Sequence, residues 1–567
     1  MGAILMYGRK ISNNYKLLRS ILSKIRQIET SRDMSYIIIY AFLYKYCSDI
    51  QKDHFLGVIQ DKPITLDEAF KSEDYQMEFK ADAFNMFGYY IPNSNLFLDE
   101  VINEKYSESF FIHEFITAFS KNVEFPQNSF YEIYFRFIFD SLERRININK
   151  FEFEGETHLI VKDLIYTISK LDVFEKQFPF EKVFDRVCDS KLIYVEKDPD
   201  YINSILSAII ISEKSQLDEV YNPFLNDASS LINLAHNYGS GIKHAYAKGF
   251  DRISYCAAIV KFFINFFDLD NVFLSFGSPF ESVDMSGNEF DVIVSRIPPM
   301  TSKRFRRLND IQSKEIVKRK NKNKLKSMLS ETFGVDEDAF ENDLELNSTL
   351  EDLASKMAVG KNPTDDLTGE YEVLKNNEYL FLINLINSLK NDGVMAVSLS
   401  QSFLFKNSLE ILRKYLTVEK NYIDCIISIP DELSRPRRPD VIVVFKKFKK
   451  TDDIVFIDLS HDYDTTNERY AVSGLFKGNL MLDKKTIRKI VDVFKKRKTI
   501  DKFSNVVPIA DLKENEFNLS TSRYVDTFGG EFIRLEDLKN QKEDITSNIK
   551  KLNKKIDMMM DDLGINF

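Results

Sequence analysis

The chain has 567 residues, 44% of them hydrophobic and 29% charged, with a net charge of −10. That length exceeds one ordinary core and predicts two or three domains, while the acidic balance excludes a uniformly basic nucleic-acid binder and leaves DNA contact to local basic patches. No apolar run is long enough for a bilayer span, the opening MGAILMYGRK lacks the order of a secretion signal, and its Met-Gly start lacks the Ser or Thr that would support myristoylation. Cys47, Cys188, Cys256 and Cys425 are widely separated with no CxxC, and the six histidines form no HExxH, so neither a metal site nor a disulfide framework is expected and a reducing cytoplasm is the simplest location.

In chain order, residues 1–175 read as a helical domain. SYIIIYAFLYKYCSDI (35–50), SFFIHEFITAFSKNV (109–123) and YEIYFRFIFDSLERRI (131–146) are apolar almost all round, the pattern of buried helices. From about 190, strands alternate with helices. The strands are LDEVYNPF (217–224), AYAKGF (245–250), NVFLSFG (271–277), FDVIVSR (290–296), VMAVSLS (394–400), YIDCIISIP (422–430), DVIVVFKKF (440–448) and IVFIDLS (454–460). The intervening helices are ASSLINLAHNYG (228–239), RISYCAAIVKFFINFF (252–267) and YLFLINLINSLKNDG (379–393), the first and last closed by C-cap glycines. The alternation predicts a parallel, doubly wound sheet, whose ligands lie at the carboxyl ends of the strands. That rule singles out residues 222–231, 251, 277–281 and 297–300.

The segment 301–370 breaks the alternation, with a basic half (303–326) followed by an acidic half (331–352). It reads either as a solvated insertion or as a phosphate-contacting arm carrying Lys303, Arg304, Arg306, Arg307, Lys318, Arg319 and Lys320. Near the C-terminus, Leu535, Leu538, Lys542, Ile545, Ile549, Leu552, Ile556, Met559 and Leu563 step by three and four, a heptad seam that predicts a partner helix. The expected organisation is a helical domain 1–175, an α/β domain 176–465 with the insertion 301–370, an extension 466–530 and a heptad helix 531–567.

These segments resemble, in order, the methyltransferase subunit of type I restriction-modification systems, a branch of the adenine-N6 DNA methyltransferases. YNPFLNDASSLINLA (221–235) resembles the cofactor motif, an Asp-Pro pair followed by a Gly-Ser-Gly turn and a helix. FDVIVSRIPPM (290–300) resembles the strand that ends in an Asn-Pro-Pro-aromatic motif around the target base. Segments 379–405, 408–430 and 516–528 resemble the family's later helix–strand pairs and its C-terminal end, where a terminal helix packs against a specificity subunit. The resemblance implies a Rossmann-like class I methyltransferase sheet with an N-terminal helical domain and a C-terminal coiled-coil helix. It implies S-adenosylmethionine as cofactor, and DNA, a specificity-type subunit and a second copy of the chain as partners.

The site motifs depart from that pattern. At the cofactor turn the acidic position is Asn222, followed by Pro223; the glycine positions are Asn226 and Ala228, with Asp227 between them. Asp251 remains placed to receive ribose hydroxyls, but Ser278 stands where the family has an aspartate. At the target-base motif Pro298 and Pro299 are retained, whereas Ile297 replaces the polar acceptor and Met300 the stacking aromatic. Arg296 cannot substitute, since a guanidinium only donates. The sequence also has no Pro-Cys motif of the cytosine-C5 type and no GxxxxGK[ST] phosphate loop. Three readings are open: a methyltransferase-like subunit without transfer chemistry, with S-adenosylmethionine or no cofactor; an active divergent adenine-N6 methyltransferase; and an assembly or effector-binding protein that has left DNA.

Overall fold

A computed structural model describes residues 12–28, 32–104, 111–145, 156–190, 192–239, 241–265, 271–277, 289–297, 380–429, 440–447, 449–460, 465–467 and 480–526, and parts of 542–552. Pro298, Pro299, Met300, Ser278, the whole of the insertion 301–370 with its basic residues, and Leu535, Leu538, Ile556, Met559 and Leu563 lie outside the described residues.

The strands in chain order are β1 (Glu219–Asn222), β2 (His244–Gly249), β3 (Val272–Phe276), β4 (Phe290–Arg296), β5 (Leu389–Ser400), β6 (Ile423–Ser428), β7 (Asp440–Lys446), β8 (Asp453–Asp458), β9 (Thr465–Asn467), β10 (Leu480–Leu482) and β11 (Ser504–Pro508). Nine of them form one sheet in the order β11-β8-β6-β7-β5-β4-β1-β2-β3, and β9 pairs with β10. The sheet is mixed, not wholly parallel as the alternation predicted. β7 runs antiparallel to both β5 and β6, and β11 antiparallel to β8. Strand β7 is reached through residues 429–439, and no described helix intervenes between β6 and β7. A parallel return needs a crossover, usually a helix.

The central strands are continuous apolar runs because both faces are covered. Val292, Val294, Val394, Ala396, Ile442 and Val444 belong to one apolar cluster, and their neighbours Ile293, Met395, Val397, Val441 and Val443 to the other. The first cluster is continuous with the N-terminal helices. Helix Arg32–Val58 is buried without a break from Met34 to Ser48, as its all-round apolar sequence predicts. Aromatic rings interlock around it: Tyr44 stacks on Phe119 at 4.6 Å, and Tyr40 meets Phe115 edge-on at 5.3 Å. Helix Phe130–Arg145 ties this region to the sheet, since Tyr134 donates to the Val272 carbonyl at 2.8 Å and accepts from the Leu274 amide at 3.1 Å. The outer strand β3 is thereby anchored. Among the described residues no helix is long and apolar enough to cross a membrane.

A second expectation also changes. Helix Leu380–Asn387 ends before Gly393, which lies within β5 instead of capping the helix. The register against β4 jumps between Phe290 and Val292, and a Cβ at Gly393 would come within 3.0 Å of the Phe290 carbonyl oxygen. The glycine permits close backbone approach at an irregular strand start. The described residues Ile545, Ile549 and Leu552 of the heptad seam are helical and exposed.

Candidate functional site

Strand β1 lies between β2 and β4, each parallel to it. The chain winds outward from β1 through β2 to β3 and then returns to β4 on the other side of β1. The strand order therefore reverses at β1 and β4, and the carboxyl ends of these two strands form the crevice where such sheets bind ligands. Asn222 ends β1, and Ile297 directly follows β4. The two altered motifs thus meet at one place.

The turn after β1 is closed by its own side chains. Asn222 donates to Ser230 Oγ at 2.9 Å, and its Oδ1 accepts from the Phe224 amide and from Ser295 Oγ, each at 3.1 Å. Asn226 donates to Asp198 Oδ1 at 2.7 Å and toward the Arg296 carbonyl at 3.4 Å, so it spans from β1 to β4. Asp227 Oδ1 accepts from the amides of Asp198 and Ser229, and its Oδ2 accepts from Ser229 Oγ at 2.7 Å and Lys261 Nζ at 2.5 Å. Ala228 precedes helix Ser229–Tyr238 with φ at +65°, the left-handed conformation that a glycine would adopt without strain. The backbone at this position has the shape that a glycine favours. Pro223 is also buried.

Exposure decides what this turn can offer. Asn222, Asp227 and Ala228 are 0% exposed and Asn226 is 2% exposed. Asn222 and Asp227 are hydrogen-bonded within the protein and Asn226 donates within it, so these side chains are turned to the protein and not to solvent. Asp251, just past β2, is half-buried, and its Oδ1 accepts from the Ser254 amide and hydroxyl, each at 3.0 Å, as an N-cap of helix Arg252–Asn265. Ile297 is buried within the apolar cluster containing Tyr221, Phe224 and Leu399, and its amide donates to the Ser398 carbonyl at 2.9 Å. It acts there as a core side chain.

Beneath the turn lies a cluster of buried charges that sequence reasoning did not find. Lys261 Nζ bridges Asp227 and Asp185, and Lys197 Nζ meets the other Asp185 oxygen at 2.8 Å. Burial alone would lower the Lys261 pKa, but the Asp185 and Asp227 carboxylates outweigh it and hold the amine well above its usual range. Asp185 is held far below the carboxylate range by Lys197 and Lys261, against the upward push of burial. Asp198 goes the other way. Burial, then the nearby Asp227 charge, push its carboxyl up to about 7, against the opposing effects of Arg296 and the Asn226 hydrogen bond. Its Oδ2 has no hydrogen-bond partner among the described residues. Arg296 is itself buried and paired with Asp440 Oδ2 at 3.2 Å. One signal was present in the sequence: Lys261 is the single charge in the apolar helix segment ISYCAAIVKFFINFF (253–267). A lone lysine in a buried helix requires a carboxylate partner. Its partners come from segments 34 and 76 residues away.

Comparison with known proteins agrees with this architecture. Residues 360–531 match the N-6 DNA Methylase family model. Over 191 residues the chain is 27% identical to the methylase subunit of type I restriction enzyme MpnII of Mycoplasma pneumoniae, a match covering 33% of each chain. It is 29% identical over 135 residues to the methylase subunit of type I restriction enzyme MjaVII of Methanocaldococcus jannaschii, covering 23% of this chain and 22% of the relative. The matched segments thus span a third or less of those relatives' length. The crystal structure of a type I restriction-modification methyltransferase subunit from Streptococcus thermophilus superimposes with a TM-score of 0.60 at 17% identity, covering 90% of this chain and 99% of that one. At that identity the likeness is one of fold. The chain resembles the methyltransferase subunits of type I restriction-modification systems and has their Rossmann-like α/β fold.

Proposed function

We propose that this chain is an adenine-N6 DNA methyltransferase-like subunit of a type I restriction-modification-like complex that keeps the assembly role and DNA contact while lacking methyl transfer. The carrying observation is the turn after β1, whose four site side chains are buried and whose one carboxylate is neutralised by Lys261. Ile297 offers no acceptor for an amino group, so the second half of the chemistry is lost beside the first.

The organisation that goes with this reading is a helical domain 1–175, an α/β domain 176–465 with a DNA-contacting insertion, an extension 466–530 and a C-terminal helix that docks a specificity-type subunit. The exposed Ile545, Ile549 and Leu552 support the docking role. Titration calorimetry of the purified chain with S-adenosylmethionine tests the core of the proposal. The expected outcome is no binding in a folded chain, and micromolar binding would overturn it. DNA affinity that falls steeply with salt is expected as well, and its absence would favour an assembly protein that has left DNA.

A second reading, an active divergent methyltransferase, is favoured by one observation: Asp251 is partly exposed at the end of β2, where a ribose would be received. The double substitution Ile297→Asn with Met300→Phe separates the two. We expect no methylated DNA from it, since the cofactor turn stays closed.

A further inference from the structure

At the end of the sheet opposite this crevice lies a cavity of about 370 Å³, lined by Asn391 to Val394 in the first half of β5, by Asp424 near the start of β6 and by Lys446 at the end of β7. Its lining carries five cations, Lys446, Lys449, Lys450, Lys495 and Arg497, against three carboxylates, Glu213, Asp392 and Asp424. Each carboxylate has a cation within ion-pair distance, and Arg497 also pairs with Asp453. Asp424 pairs with Lys446 at 2.8 Å and Arg497 at 2.7 Å, Glu213 with Lys446 at 2.8 Å, and Asp392 with Lys214 at 2.7 Å. Among the described residues Lys449, Lys450 and Lys495 have no carboxylate partner, and Lys449 donates only to the Ile423 carbonyl at 2.9 Å. Two further donors in the lining are buried without a hydrogen bond, Thr451 Oγ1 and Arg497 Nε.

We propose that this cavity binds a small phosphate-bearing anion, of the size of pyrophosphate or a nucleotide. Three ammonium groups that lack a carboxylate partner line one concave space, and ammonium groups are donors that phosphate oxygens take. Burial pushes the Lys449 amine down to about 8, more than the nearby Asp424, Asp453 and Asp452 carboxylates raise it. The cavity is walled by the strand ends of the sheet and by the last turn of helix Lys484–Lys496, so it is built on rigid elements.

The test is calorimetric titration of the full chain with inorganic pyrophosphate at low salt, repeated on the double variant Lys449→Gln with Lys495→Gln. Lys170→Gln, in the N-terminal helical region, serves as a control. One-site binding is expected, weakened tenfold or more in the double variant and unchanged in the control. No binding, or binding that the double variant leaves intact, overturns the proposal, since the anion then sits elsewhere. If the double variant does not fold, Lys450→Gln with Lys495→Gln replaces it, because both side chains are exposed. A short DNA duplex is the last arm. Displacement of pyrophosphate by duplex, together with duplex affinity lost in the same variants, would reassign the cavity to a DNA backbone and overturn the small-ligand assignment.

Discussion

At the carboxyl ends of β1 and β4, Lys261, Lys197 and Arg296 each meet a carboxylate, and the side chains of the turn are sealed from solvent. At the opposite end of the same sheet, Lys449, Lys450 and Lys495 face a cavity with no carboxylate among the described residues to pair with. Both ends contain altered or irregular backbone, Ala228 in a left-handed conformation at one and the Gly393 register jump at the other. The difference lies in charge balance. A crevice whose cations each have a carboxylate partner has little electrostatic need for an anion, whereas a concave surface with surplus cations does. On the proposed reading the crevice serves as structural core, and the surplus of donors lies at the end of the sheet where the fold alone would not place a site.

The largest test of this contrast is Lys261→Met. Removing the amine leaves the buried Asp227 without its cation, while the partly exposed Asp185 keeps Lys197, and a loss of about 3–5 kcal/mol is expected in urea unfolding. Asp227→Ser, which restores the residue of the resembled family, should cost about 1–3 kcal/mol, since Lys261 keeps Asp185. The double variant should be less damaging than the sum of the two, because the residues contact each other. Strict additivity would show that the pair does not hold the turn closed.

Asp198 gives the next effect. Its folded carboxyl titrates at about 7, above the ordinary value near ~3.9, so the folded state binds the proton more tightly than the unfolded chain. Stability from this group therefore falls as pH rises from about 4 to about 7 and is flat above that. Asp198→Asn should stabilise the protein more at pH 8 than at pH 5, by unfolding measured at both. An equal effect at the two pH values would mean that the carboxyl is already ionised in the fold.

At the far end, Gly393→Ala should destabilise by roughly 1–3 kcal/mol, because its Cβ would press on the carbonyl oxygens of Lys390 and Phe290 at 2.9 and 3.0 Å. The smallest effect runs in the opposite direction. Ala228→Gly should gain roughly 0.5–1 kcal/mol in thermal or urea unfolding by removing the left-handed strain of a Cβ. If that variant also acquired affinity for S-adenosylmethionine, the lost glycine alone would account for the closed turn, and the charge cluster would be secondary.

Sequence pattern alone determined strands β1 to β8, the buried helical segment 35–50 and the crevice at which the two altered motifs meet, while β9, β10 and β11 went unread. These come from local periodicity and from the rule that strand order reverses at a binding crevice, both of which depend on residues near in sequence. Two local features misled. The glycine of NDG read as a helix cap, yet the irregular pairing of β5 with β4 drew it into a strand, and the direction of β7 depended on the connection that precedes it. Tertiary structure alone decided the rest. Asp227 read from the sequence as a cofactor-site residue, and only the fold sets Lys261, 34 residues on, against it. Asp198, Asn226 and Arg296 come from three elements, and the pairing that buries them exists only once β1 and β4 lie side by side. The cation-lined cavity likewise gathers residues from 213 to 497, and no local pattern carries such a juxtaposition. Charge balance at a site is a sum over everything within a few ångströms, and that neighbourhood is set by the fold.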